Sequence, residues 1–139
     1  MLEISMSNLP LPEQFEINEA WVAFKLNTSP IFTKEDGEFN CFSLMDAASG
    51  FILSTSFVSV LATSLPAEDV IKMMEEAHAH KHEWPKLLLC QSGQAVDAMI
   101  EKAERLGISV RVVPESQLDV FVSDAKEGFN ERFGSGDLH

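Results

Sequence analysis

The spacing of the apolar residues changes at Pro66, and no other feature of the chain constrains its fold as much. Before Pro66 the apolar and β-branched residues come in short runs: Ala20 to Leu26 (Ala-Trp-Val-Ala-Phe-Lys-Leu), Glu38 to Asp46, and Phe51 to Val60. Such runs predict strands. The last two are joined by Ala47-Ala-Ser-Gly50, short enough for a hairpin, in which Asp46 can accept from the backbone two residues on and Gly50 can take positive φ. After Pro66, Val70, Ile71, Met74 and Ala77 recur at helical spacing while Glu68, Asp69, Lys72, Glu75 and Glu76 fall elsewhere, which predicts an amphipathic helix. Its acids open the first turn and His78, His80 and Lys81 lie near its end, as the helix dipole favours.

From there strands and helices alternate. Pro85 precedes Lys86-Leu-Leu-Leu-Cys90, a short apolar run that reads as a strand buried on both faces. Ser92-Gly93 is expected to open a second helix, with Val96, Met99, Ile100 and Ala103 on one side and Gly107 ending it. Ile108 to Val113 is a strand stopped by Pro114, and Leu118, Phe121, Val122, Ala125 and Phe129 predict a third helix from Ser116 to Gly128. Asn27 to Gly37, with Pro30 and Asp36-Gly37, reads as a loop ending in a tight turn. The expected architecture is therefore α/β: a mixed five-stranded sheet with the order β-β-β-α-β-α-β-α. Residues 1–19 are expected to be an irregular leader, 20–133 one α/β domain around a single core, and 134–139 a loose tail.

Acidic side chains outnumber basic ones by 22 to 10, a formal charge of −12, so the molecule's field opposes phosphate backbones and anionic membranes. Nucleic acid and membrane partners are disfavoured on that ground. An unidentified protein partner is expected instead, and the strand edges leave room for a homodimer. Cys41 and Cys90 stand in apolar runs with no CxxC, which predicts two reduced, buried thiols. No basic region precedes an apolar core near the N-terminus, and a cytoplasmic location is expected.

The order of elements, together with Trp21, Asp46-Ala-Ala-Ser-Gly50, Leu87-Leu-Leu-Cys-Gln-Ser-Gly93 and Leu106-Gly-Ile108, resembles the ribonuclease H-like superfamily in its integrase and transposase branch. It also looks like uncharacterised bacterial domains that keep the hairpin motif and lack the nuclease residues, for which no activity is implied. Enzymes of this fold cut phosphodiesters with two divalent cations about 4 Å apart, gripped by converging carboxylates. The resemblance puts one acid in the middle of the first strand, where this chain has Phe24 or a neighbour, and a second after the fourth, where it has Cys90-Gln91. A non-catalytic domain acting through protein contacts is the resulting expectation, with no catalytic, cofactor-binding or metal residue assigned.

Two alternatives stay open. Glu68 and Asp69, or Glu115 and Asp119, would supply relocated ligands for a metal-dependent nuclease, although acids in a first helical turn also complement the dipole. An acidic inhibitor or immunity-type protein would need its carboxylates crowded on one face. His78, His80 and His82, beside Glu83, are the densest potential metal cluster, and the sequence does not decide whether they bind metal. Cys90, at a strand-to-helix turn, is a candidate nucleophile set against the apolar Leu87-Leu-Leu89 before it. Neither GxxxxGK[ST] nor GxGxxG occurs, so no phosphate-cradling loop is expected. Phe39, Phe42, Phe51 and Phe57 are expected in the core, with no basic residues between them to form a stacking platform.

Overall fold

The computed structural model describes residues 11–27, 30–35, 37–62, 64–92 and 96–132. Among them the elements follow as β1 (Ala20–Lys25), β2 (Ile31–Thr33), β3 (Gly37–Asp46), β4 (Ile52–Ser59), α1 (Ala67–Lys81), β5 (Leu87–Gln91), α2 (Asp97–Arg105), β6 (Ser109–Val113) and α3 (Glu115–Arg132).

One mixed sheet holds all the strands. β3 pairs antiparallel with β1, β2 and β4, whereas β5 pairs parallel with β1 and β6. A strand has only two edges, and the registers show how β3 serves three partners. β1 takes Phe42 to Asp46 and β2 takes Gly37 to Phe39, while β4 spans Phe39 to Met45 opposite both. β1 and β2 thus lie end to end on one side of β3. The sheet is five positions wide, with β4 and β6 at its lateral edges.

β2 lies inside the stretch expected to be a loop. Three residues are too few to display a period of their own, and Ile31-Phe32-Thr33 becomes a strand because β3 offers it an unpaired edge. Lys34 and Glu35 turn the chain and Gly37 takes φ +88, the left-handed conformation a glycine reaches without strain, while Asp36 lies outside the described residues. α2 also departs from expectation, starting at Asp97 with Val96 at its N-cap position. The Ser92 N–H donates to Val113 O at 2.8 Å, continuing the β5–β6 pairing, and residues 93–95 lie outside the described part. α3 runs to Arg132, longer than its apolar stripe requires. Residues 1–10 and the tail at 134–139 are likewise outside the described residues.

Strand alternation divides the core in two. Trp21, Ala23, Leu44, Leu88 and Cys90 face α1 and α2, packing on Met73, Met74, Ala77, Met99 and Ala103. Val22, Phe24, Cys41, Met45 and Leu89 face the other way, onto Leu118, Phe121 and Val122 of α3. Phe15, from the segment before β1, joins this second layer with its ring 6.0 Å from that of Phe121. The four strand phenylalanines do not behave as expected. Phe39 and Phe42 are only partly covered, and Phe51 and Phe57 are 51% and 53% exposed. The C-terminal half of α3 stops short of the β4 edge, leaving a groove of about 430 Å³ between Ile52 and Thr55 on one wall and Ala125 and Phe129 on the other.

Candidate functional site

Parallel pairing of β1 with β5 sets Ala23 beside Cys90, so the next residues, Phe24 and Gln91, stand together at the C-terminal ends of the central strands. This is the place where the superfamily resemblance puts two metal-binding acids. Phe24 is 2% exposed and packs in the α3 layer, opposite Ser43 of β3. Gln91 is buried, and its Oε1 accepts from the Lys25 N–H at 3.3 Å. An aromatic ring offers a divalent cation no oxygen. The Gln91 amide oxygen carries no formal charge and is already engaged.

Among the described residues, the acids named as relocated ligands go to different places and partners. Glu68 and Asp69 open α1, on the opposite face of the sheet from α3, and Asp69 Oδ1 accepts from the Ser56 hydroxyl at 2.9 Å. On α3, Glu115 pairs with Lys126, whose Nζ donates to Glu115 Oε2 at 2.9 Å. The hydrogen bond and charge of Lys126, with a smaller contribution from Lys25, hold the Glu115 carboxyl below its usual range. Asp119 is exposed.

Asp46 is fully buried but stands opposite Trp21, at the start of β1. Three residues of strand, about 10 Å, separate that register from Phe24. Its carboxylate is committed to the fold: Oδ1 accepts from the Asn18 N–H at 2.7 Å, and Oδ2 accepts from the Ser49 N–H at 3.0 Å and the Ser49 hydroxyl at 2.7 Å. The hairpin bond expected two residues on is therefore made three residues on, and Gly50 takes φ +76. Among the described residues no three His, Cys, Asp or Glu side chains are placed to hold a metal ion. Phe24 and Gln91, at the ends of the two central strands, do not fit a pair of divalent cations.

The three histidines go to separate partners. The His78 ring lies 4.3 Å from that of Trp84, and His80 meets Phe51 edge-on at 5.3 Å. His82 ends α1 with φ +59, its N–H donating to His78 O, so the helix unwinds just before Trp84-Pro85. Both cysteines are buried free thiols. Burial pushes Cys90 up to about 12; it pushes Cys41 up to about 11, with the Ser43 hydroxyl acting weakly the other way. A thiol in that state is a poor nucleophile at neutral pH.

A cleft of about 300 Å³ opens at the other end of the strands, lined by Glu16, Asn18, Glu19, Glu83, Trp84 and Lys86. Asn18 organises its floor. Held at φ +66, it accepts from Trp21 Nε1 at 2.6 Å and donates through Nδ2 to Glu83 O at 3.0 Å. Sequence reasoning missed Asn18, which lies in the segment expected to be irregular, and the Lys126 partner of Glu115. No local spacing signals the latter, because pairs that meet on a regular helix surface are three or four residues apart.

Neither a family model nor a curated protein matches the sequence, so the expected kinship with bacterial domains gains no support. Solved structures do match. The HTLV-2 integrase catalytic core domain, in its dimeric form with magnesium, superposes with a TM-score of 0.55 at 14% identity, covering 84% of this chain and 68% of that one. The catalytic core domain of BIV integrase gives 0.56 at 12% identity, with 85% and 70% covered. A chain of the simian T-cell lymphotropic virus intasome in complex with PP2A regulatory subunit B56 gamma gives 0.53 at 16%, and the match spans 92% of this chain but 44% of that one. Fold and neighbours together define the class at the level of architecture: the chain has a ribonuclease H-like fold, similar to that of retroviral integrase catalytic cores.

Proposed function

We propose that this is a non-catalytic ribonuclease H-like domain that works through protein contacts, including contact with a second copy of itself. One observation carries the reading: the paired positions at the ends of the two central strands hold Phe24 and Gln91, with the Gln91 amide bonded to the Lys25 backbone. Two-cation phosphodiester cleavage needs charge at that spot to bind the metals and offset the negative charge developing on the oxygens. This chain offers a buried ring and a neutral amide. The relocated-ligand alternative is weakened by the distribution of the other acids, since Glu68 and Asp69 are on one face of the sheet, Glu115 and Asp119 are on the other, and Asp46 is occupied.

A charge of −12 favours protein partners over phosphate backbones. The HTLV-2 core is known in dimeric and trimeric forms, which makes self-association a natural use of the architecture. The test of the catalytic half is incubation with single- and double-stranded DNA and with RNA in magnesium or manganese. No cleavage above a buffer control is expected. Hydrolysis abolished by Glu68→Gln with the fold intact by circular dichroism would establish a nuclease with relocated ligands and overturn the reading.

A further inference from the structure

We infer that the ion pair of Glu115 with Lys126 is a clasp that holds α3 bent, and that the bend keeps open the groove between the C-terminal half of α3 and β4.

Reach alone rules out a straight helix. An α-helix rises about 1.5 Å per residue, so Cα atoms eleven positions apart on a straight axis are separated by about 16 Å. A fully extended lysine and glutamate joined by a hydrogen bond span roughly 14 Å at most. Lys126 Nζ and Glu115 Oε2 nonetheless stand 2.9 Å apart within one helix, Glu115–Arg132. The axis therefore curves toward the flank that carries them.

The hollow beside the pair has the same cause. It measures about 580 Å³ and is walled, among the described residues, by α3 alone, from Glu115 and Asp119 through Lys126 to Glu131. The outside of a straight rod is convex and encloses no such space, whereas the inside of a bend does. Lys126 lies within it, its side chain only 12% exposed. The ordinary causes of a bend do not apply: between Glu115 and Lys126 there is neither proline nor glycine. Gentle curvature around a core would also put the concave side on the apolar stripe, and here it carries Glu115, Asp119, Lys126 and Glu127.

The direction of the bend accounts for the groove. At about 100° per residue, Asp124 and Gly128 stand on the flank opposite Glu115 and Lys126, and both line the groove beside β4. Bending toward the pair thus carries the C-terminal half away from β4, and leaves Ala125 and Phe129 facing Ile52 across the gap. Two tendencies oppose this. A straight axis restores regular backbone hydrogen bonds, and closing the groove covers apolar surface of Ile52 and Phe129, which are only partly buried. The clasp holds against both because its Lys126 end is shielded from solvent, where screening is weaker than between two surface charges.

Spin labels on Thr55→Cys, in the β4 wall, and on Glu131→Cys, near the end of α3, read the opening of the full chain by double electron-electron resonance. Both positions are exposed and the native thiols are buried, so the labels go to the introduced cysteines. Lys126→Met, which removes the charge and keeps an unbranched side chain, and Glu115→Ala are each expected to shorten the main distance by about 4 Å. That is the swing of a half-helix roughly 13 Å long through about 20°. Lys126→Arg, which keeps the pair, should leave the distance unchanged. So should Lys72→Met, which removes the same charge from an exposed position on α1. Glu115 is 60% exposed, so Glu115→Ala keeps the test valid if Lys126→Met disturbs folding. An unchanged or longer distance in either variant, with its helix content intact by circular dichroism, overturns the clasp. Equal shortening by Lys72→Met overturns it too.

Discussion

At the scale of single residues, Asp46 shows how a motif residue can be mistaken for chemistry. A fully buried carboxylate in a fold shared with metal-dependent enzymes invites a catalytic role, yet both its oxygens are used to tie the β3–β4 hairpin to the segment before β1. Charge-assisted hydrogen bonds of this kind are among the stronger ones, and losing the acceptor leaves the Asn18 and Ser49 donors unsatisfied. Asp46→Ala is therefore expected to lower stability by about 3 kcal/mol, measured by urea denaturation. A change under about 0.5 kcal/mol would mean that water replaces the carboxylate without penalty. The sequence makes the Asp-Gly hairpin visible through its spacing. It does not reveal Asn18, because the bond between them spans 28 residues and no local pattern records it.

Elements are where the sequence reads best. α1, α3, β1 and β3 to β6 lie close to where period and punctuation put them, since each has enough residues to show an alternation of two or a recurrence of three to four. β2 escaped because it exists through its partner on β3, a tertiary pairing that three residues cannot announce. β1 gives the sharpest element-level test of the missing acid. Phe24 is packed between the sheet and α3, so Phe24→Asp, which puts an acid where the resemblance places one, buries a charge and opens a cavity. A loss of roughly 4 kcal/mol or more is expected, with no gain of nuclease activity. A stable Phe24→Asp variant that binds manganese, read by calorimetry, would contradict the account of this site.

On the scale of the whole molecule, the sheet separates two packed layers, and each holds one cysteine as a natural reporter: Cys90 under α1 and α2, Cys41 under α3. Both thiols titrate above their ordinary value near 9 because burial disfavours the thiolate, at about 12 and about 11. A group whose folded pKa is raised contributes stability that is complete below the unfolded pKa and fades as pH rises through the folded one. Stability is thus expected to decline from about pH 9 upward, and at pH 8 a thiol reagent should label neither cysteine until both become reactive in a single denaturant transition. Labelling of native Cys90 alone would show that the α1–α2 layer opens independently.

The sequence by itself determined the succession of strands and helices, the acidic charge and the absence of acids at Phe24 and Gln91, because these depend on residue type and local spacing. Only the tertiary structure decided that β1 and β2 share one side of β3, that His78 and His80 meet different aromatic rings, that Glu68 and Asp69 lie on the opposite face of the sheet from Glu115 and Asp119, and that among the described residues β4 pairs on one side alone. Each of these is a relation between residues far apart in the chain, fixed by which edges and faces remain to be covered once the local elements exist.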